Sequence, residues 1–262
     1  MREAIITTGR KFNKNSLELA LEYSSKLNIP FVERQNVAIE KILEIQKAKL
    51  ALVAKKNSLR IVSSDSEIFF HPSLAHLRIK NLKNGQGDRM IEAMNLKRGM
   101  KVLDCTLGLG ADSIVESFIV GEEGEVTALE VNPYLAAVVS YGFQNFSEDN
   151  SQVIQSMRKI QVVNTNYLDF LKKTEYHSYD VVYFDPMFRH PLERSSSLNP
   201  LREVADHSAV TIEAIQEACR VAKYRVVLKE NAKSLEFERL GFEKIFGGRY
   251  SPVHYGVIIN NE

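Results

Sequence analysis

Cysteine is scarce in this chain of 262 residues: Cys105 and Cys219 are the only two, far apart and in no Cys-x-x-Cys pair. No disulfide framework or zinc knuckle can be built from them, and both are expected to be small core residues. Long apolar runs are missing as well. None approaches the length needed to cross a bilayer, and the apolar part of the N-terminal "MREAIITTGRKF" is too short for a secretory signal, so no membrane partner and a cytoplasmic location are expected. Neither sign of charge is in excess. Lys plus Arg number 34 against 33 for Asp plus Glu, which argues against coating nucleic acid by bulk attraction and leaves room for a local basic patch. The six histidines are not spaced with acids or cysteines as metal ligands, so no metal is expected. There are no internal repeats or low-complexity segments. What remains, 44% hydrophobic and 26% charged, suffices for one large core, or a medium core with a small extra domain.

The first third reads as a small α/β unit. Strands are expected at "AIIT" and near "PFVE", helices over "NSLELALEYSSKL" and "NVAIEKILEIQKAK", and β-rich stretches at "LALVAK", "LRIVS" and "EIFFHPS". A basic, glycine-containing connector, "AHLRIKNLKNGQGDRMIEAM", follows, and the boundary falls near His76: a small N-terminal α/β domain over 1–75 and a larger domain over 76–262. Beyond it strands and helices alternate: "MKVLDC", a helix from Ala111, "GEVTALE", a helix opening at Pro133, "IQVVN", "YLDFLKK", "YDVVYFD", a helix over "ADHSAVTIEAIQEACRVA", and "YRVVLK". Alternation with β-branched strands predicts a parallel sheet covered by helices on both faces. "GFEKIFGG" and "VHYGVII", joined by "RYSP", read as an antiparallel hairpin at one side of it.

In such a sheet ligands gather outside the carboxyl ends of the strands. "VLDCTLGLGAD" ends a strand at Asp104, turns through Gly108 and Gly110, and enters a helix with Asp112. Glycines let the backbone bend tightly and let a ligand approach, although a turn that serves only packing reads the same way. Glu130 ends the next strand about 20 residues on, where an acid can grip a pair of ribose hydroxyls. The nicotinamide fingerprint needs a third glycine where Ser113 stands, and it would set a diphosphate beside Asp112. Like charges about 4 Å apart repel by roughly 1 kcal/mol in water and about 4 kcal/mol at an effective dielectric of 20. A P-loop is excluded because no Gly-Lys-Ser/Thr follows the glycines. A cationic ligand with a ribose and no phosphate suits the acids, and S-adenosylmethionine has that character. Asp104 and Asp112 are expected at its methionine end and Glu130 at its ribose. In "VNTNYLDF", Asn166 can address the adenine edge and Tyr167 lie against the base, while a plain helix cap is the competing reading.

"YDVVYFDPMFRHP" carries the chemistry. Pro186 forces Asp185 into an extended conformation, so the strand runs to its tip and the carboxylate projects from it. An amine conjugated to a ring is a poor nucleophile until its N–H groups are held so that its lone pair points at the electrophile. Asp185 and the Pro186 carbonyl are acceptors for that task, and Phe188 offers a face for stacking a planar base, worth roughly 1–3 kcal/mol in nucleic-acid sites. A base in a duplex would have to flip out to reach it. Lys229, at the end of a later strand, reads either as a group for a phosphate or the target base or as a surface lysine. His76 and Arg78 with the turn Gly85–Asp88 read as a lid or a solvated linker, and Arg189, His190, Arg194 and Arg202 as phosphate contacts or a solvated basic loop.

"VLDCTLGLGAD", "ALEVNP" and "VVYFDPMF" together resemble the class I S-adenosylmethionine-dependent methyltransferases, specifically the RsmJ-like (YhiQ) group that methylates guanine N2 in 16S ribosomal RNA. "LALVAKKNSLRIV", "AHLRIKNLKNGQGD" and "YRVVLK" are also similar to segments of that group, so most of the chain is covered. The resemblance implies a Rossmann-like α/β fold with a mostly parallel seven-stranded sheet and an antiparallel C-terminal hairpin whose last strand is inserted. It implies cofactor contacts at Ala111, Asp112, Glu130, Val131, Asn166, Tyr167 and Asp185. Met187, Phe188 and Arg189, just past the strand tip, are expected toward the substrate. Ribosomal RNA or the small subunit is the expected partner; a protein amide or small amine as acceptor, or a module without turnover, are the alternatives. Ala111, Val131 and Arg189 stand where the group often has Arg, Arg and Pro. Charge-assisted hydrogen bonds contribute roughly 1.5–3 kcal/mol. Glu130→Ala is therefore expected to weaken cofactor binding about tenfold to a hundredfold by calorimetry, and unchanged affinity would remove Glu130 from the site.

Overall fold

The computed structural model describes residues 2–148, 150–186 and 208–260. Contacts divide the chain into two units, Met1–His71 with Pro133–Glu148, and Pro72–Asn132 with Asp149–Glu262.

In the first unit, β1 (Arg2–Thr8) leads to α1 (Lys14–Leu27). Asn13 and Ser16 form a reciprocal capping box, and Asn28 closes the helix in the left-handed region at φ 51°. Helix α2 (Ile39–Gln46) begins later than its apolar pattern suggests, because Gln35 and Asn36 have φ of 46° and 61° and form a turn. Lys47, at φ 51°, ends it and turns the chain into β2 (Ala48–Lys55), followed by β3 (Ser58–Val62) and β4 (Glu67–Phe69). The sheet order is β1-β2-β3-β4, with β1 parallel to β2 and the other pairs antiparallel. The strand expected near "PFVE" is only an isolated bridge between Phe31 and Ile6. Pro30 has no N–H with which to extend a ladder.

The second unit opens with α3 (Ser73–Lys83) and α4 (Arg89–Met94), so the segment read as a connector is helical. The helices separate at Gly85, φ +78°, and Asp88 caps α4 by accepting from the backbone N–H of Met90 and Ile91. The chain then runs β5 (Lys101–Asp104), α5 (Ala111–Val120) and β6 (Glu125–Glu130). Helix α6 (Pro133–Asn145) belongs to the first unit, where it packs on β3. Next come α7 (Ser151–Lys159), which no strand or helix pattern above anticipated, β7 (Gln161–Asn164), α8 (Tyr167–Lys173) and β8 (Tyr179–Phe184). Helix α9 (Ile212–Val221), β9 (Ala222–Asn231), α10 (Glu236–Arg239), β10 (Lys244–Phe246) and β11 (Val253–Ile259) complete it.

Seven strands lie in the order β10-β11-β9-β8-β5-β6-β7, with β5 to β9 parallel and β11 inserted antiparallel between β9 and β10. This is the Rossmann-like arrangement that the resemblance implied. The strand order reverses at β5, whose neighbours are β6 and β8, so the switch-point crevice opens beyond Asp104 and Phe184. Period-two alternation sends Val182, Phe184 and Leu228 into the core against Leu171 of α8 and Ala214, Ile215 and Ala218 of α9. Tyr183, Val227 and Lys229 consequently take the opposite face. Among the described residues no helix is long and apolar enough to cross a membrane, and no cluster of three metal-ligating side chains exists.

One buried group stands outside this logic. Glu116 of α5 is wholly buried, and neither carboxyl oxygen has a hydrogen-bond partner among the described residues. Burial, reinforced by the charges of Asp104 and Asp112, pushes its carboxyl well above the ordinary range. A folded pKa above the unfolded one gives stability that is present below the unfolded value and lost as pH rises through the folded one, at up to about 1.4 kcal/mol per pH unit. Glu116→Gln should therefore unfold at a higher temperature than the wild type at pH 8 and show a shallower decline in melting temperature from pH 5 to 8. Parallel curves would mean that Glu116 is ionised and partnered.

Candidate active site

The glycine loop between β5 and α5 is held from two sides. Asp104 is buried, accepts from Thr106 N–H at 2.9 Å through Oδ1, and receives the Ser113 hydroxyl on Oδ2. Burial pushes its carboxyl up to about 7, against these hydrogen bonds. Asp104 thus ties the strand end to the first turn of α5, each of its oxygens accepting one donor from within the chain. Gly108 and Gly110 have φ of +51° and +77°, a region that a side chain disfavours. Among the described residues, a Cβ on Gly108 would meet nothing nearer than the Thr106 carbonyl oxygen at 3.9 Å.

Glu130 closes that loop from the tip of β6. Its Oε2 accepts from Gly108 N–H at 3.2 Å and its Oε1 from Asn132 N–H at 2.9 Å. These donors fix the carboxylate at the tip of β6, and a carboxylate is an acceptor to which a pair of vicinal hydroxyls can donate. Asn164, at the tip of β7, steadies this end by donating its amide to the carbonyls of Glu130 and Val131, and Val131 is itself exposed. Asn166 caps α8 with its side-chain oxygen, on which Leu168 N–H and Asp169 N–H converge. Its amide nitrogen is the group available for a base edge. Tyr167 meets the Phe184 ring edge-on at 5.6 Å between centroids. Ala111 opens α5.

The other half of the crevice is an ion network. Beyond the paired residues Phe184 and Leu228, Asp185 comes level with Lys229. Lys229 Nζ lies 2.6 Å from Asp185 Oδ2 and 2.9 Å from Asp112 Oδ2, with its side chain 20% exposed, so it is no surface lysine. Asp112 Oδ2 also accepts the Tyr183 hydroxyl at 2.8 Å, and its Oδ1 receives Arg78 Nη1. Arg78 reaches Asp88 with its other nitrogens, Nε to Oδ2 at 2.7 Å and Nη2 to Oδ1 at 2.9 Å. Asp185 N–H donates to Thr106 Oγ1 at 2.6 Å, which joins the strand tip to the glycine loop. Tyr255 pairs with Lys229 across β9 and β11.

Burial by itself would raise the Asp112 carboxyl, but Lys229 and Arg78 overcome it and hold it well below the usual carboxylate range. Burial likewise opposes the charged forms of Lys229 and Arg78, yet their carboxylate partners hold both above their ordinary values. Asp185 moves the other way. Burial and the nearby Asp112 outweigh Lys229 and raise it to about 6, with its side chain 28% exposed at the crevice. Asp88, Asp112 and Asp185 against Arg78 and Lys229 are three carboxylates against two cations, which leaves one net negative charge. A cationic ligand with a hydroxyl pair fits this donor set, and a phosphate does not.

The structure therefore brings Asp104, Gly108, Gly110, Ala111, Asp112, Glu130, Asp185, Pro186 and Lys229 to one crevice. Arg78 joins it as the counter-ion of Asp112. His76 is two positions from Arg78 on α3, where residues do not share a face. Met187, Phe188, Arg189, His190, Arg194 and Arg202 lie outside the described residues. Thr106 and Tyr183 escaped the sequence reading because a lone hydroxyl in a loop or an aromatic in an apolar strand carries no pattern.

The family described as "Putative SAM-dependent methyltransferase" matches residues 26–240. An uncharacterized protein, YpiP of Bacillus subtilis, is 36% identical over 254 residues, covering 97% of this chain and 98% of its own. A protein of Colwellia psychrerythraea named "Ribosomal RNA small subunit methyltransferase J" is 30% identical over 167 residues, 62% of this chain and 58% of its own. Among solved structures, a SAM-dependent methyltransferase from Neisseria gonorrhoeae shares the fold with a TM-score of 0.65, at 19% identity, covering 97% of this chain and 95% of the other. With a family model matching residues 26–240, and a crevice whose net negative charge suits the cationic cofactor, the chain belongs to the S-adenosylmethionine-dependent methyltransferases.

Proposed function

We propose that this methyltransferase modifies the exocyclic amine of a guanine in 16S ribosomal RNA. The observation that carries the reading is the Asp185-Pro186 tip of β8, a carboxylate beside a rigid carbonyl at the same crevice as the glycine loop. Relatives named as small-subunit ribosomal RNA methyltransferases support the choice of acceptor.

Bound S-adenosylmethionine supplies an activated methyl group. Glu130 would hold the ribose hydroxyls, Asn166 the adenine edge, and the net negative charge around Asp112 and Asp185 the cationic end. Lys229 engages Asp185 Oδ2, and Oδ1 is the oxygen assigned to the target. Oδ1 and the Pro186 carbonyl accept the two amine N–H groups and so direct the nitrogen lone pair into the crevice. Asp185 is also the base placed to take the proton that the nitrogen gives up. Rate then comes chiefly from orientation, where a displacement of about 1 Å can cost on the order of a hundredfold.

Asp185→Ala is expected to lower methyl transfer to 16S ribosomal RNA by about a hundredfold or more while the cofactor still binds, as read by tritium counting and calorimetry. Transfer into protein or small amines instead of RNA would replace the acceptor, and no transfer by the wild type to any fraction would favour a non-catalytic module. The pH profile supplies a separate check. Because Asp185 works ionised and its carboxyl lies at about 6, activity should rise with pH through that value. Lys229 favours the ionised form, so Lys229→Met should move this acidic limb to higher pH; an unmoved limb would assign it to another group.

A further inference from the structure

The turn between β10 and β11, "GGRYSP", has no part in the crevice described above. It is nevertheless built rather than loose. Ser251 N–H donates to the Gly248 carbonyl at 2.9 Å, the Ser251 hydroxyl to the Val253 carbonyl at 2.7 Å, and Ala232 N–H to the Pro252 carbonyl at 2.9 Å, which ties the turn to the end of β9. Gly247 lets the His254 ring lie on the backbone, since a Cβ there would stand 2.0 Å from the ring. From this frame Tyr250 projects into solvent, 88% exposed, with the Arg249 guanidinium 5.6 Å from its ring centroid. An aromatic held out on a tied turn, with a cation beside it, is a poor core element and a good surface for a flat anionic partner.

Its position matters. Strand β11 runs antiparallel to β9 and starts opposite Asn231, so the turn stands at the carboxyl rim of the parallel strands, the same rim as Asp185. Strand β9 separates β11 from β8, which puts the turn about 10 Å across the sheet from the Asp185 tip. Along the chain, Tyr250 is within roughly 18 Å of Tyr255, the partner of Lys229. Exposed Lys233 follows the end of β9 beside it, and the nearby carboxylate of Glu236 is paired with Arg239.

We propose that Tyr250 and Arg249 form a stacking platform for an unpaired nucleotide flanking the base that enters the crevice. This rests on the RNA reading above. The Tyr250 ring takes the base on the face away from Arg249, and Arg249 with Lys233 meets the adjoining phosphates. The platform holds the strand by its neighbour, so it acts on substrate affinity and register and not on the transfer step.

Two readouts separate this proposal from the reading on which it rests. Anisotropy of a short fluorescein-labelled single-stranded RNA needs no turnover. Tyr250→Ala should weaken that binding about five- to a hundredfold, the loss of one stacked base. Tyr250→Phe should retain it, and Arg249→Ala should flatten its salt dependence. In steady-state transfer to 16S ribosomal RNA, Tyr250→Ala should raise KM by a similar factor with kcat and S-adenosylmethionine affinity unchanged. Wild-type RNA affinity in Tyr250→Ala overturns the platform, whatever the transfer assay gives. Tyr250-dependent RNA binding by a wild type that methylates only protein or small amines upholds the platform and removes the RNA acceptor.

Discussion

A lysine ammonium drawn from solvent and shared between two carboxylates organises the crevice. Taking a charge out of water costs several kcal/mol, and removing one partner of such a pair costs about 3–5 kcal/mol because the other is left uncompensated. Lys229 therefore cannot leave Asp112 and Asp185 without penalty, and neither carboxylate can turn away from it. Arg78 takes the remaining oxygen of Asp112 and continues to Asp88, which caps α4. Four elements, α3, α5, β8 and β9, thus meet at one carboxylate, Asp112, through Arg78, its own helix, Tyr183 and Lys229. The surplus negative charge of this network is the property that suits a cationic cofactor and rejects a nucleotide phosphate.

Helix α5 carries two acids one turn apart with opposite fates. Asp112 meets two cations and a hydroxyl and stays ionised, whereas Glu116 meets none and is driven toward its neutral form. Asp104, a third acid nearby, lies between them, with hydrogen bonds but no cation of its own. Environment and not residue type sorts these carboxyls into counter-ion, buried acid and loop anchor. Glu130 stands apart from that group on β6, where it accepts from the backbone N–H groups of Gly108 and Asn132.

Much of this was legible in the sequence, for identifiable reasons. Apolar strands such as "YDVVYFD" and the alternation of strand and helix give a parallel sheet, and glycine and acid punctuation marks the strand tips. The RsmJ-like resemblance supplied the inserted last strand. Elsewhere local pattern misled. "PFVE" has strand composition, but Pro30 limits it to a bridge. "AHLRIKNLKNGQGDRMIEAM" looked like a connector because its basic residues and glycines hide two short helices, and Arg78 looked free because its partner Asp112 is 34 residues away. Lys229 and Asp112 are 117 residues apart, beyond the reach of any spacing rule.

By itself the sequence determined the alternating layers, the glycine turn after β5 and the extended tip at Asp185, because each depends on neighbours within a few residues: backbone freedom at glycine, ring closure at proline, period-two alternation in a strand. Only the tertiary structure decided which charges meet. The register of β8 against β9, and the packing of α3 against α5, chose Lys229 and Arg78 as partners of Asp112 and Asp185. Charges that share a buried site are selected by distance in space, which local chain chemistry does not encode.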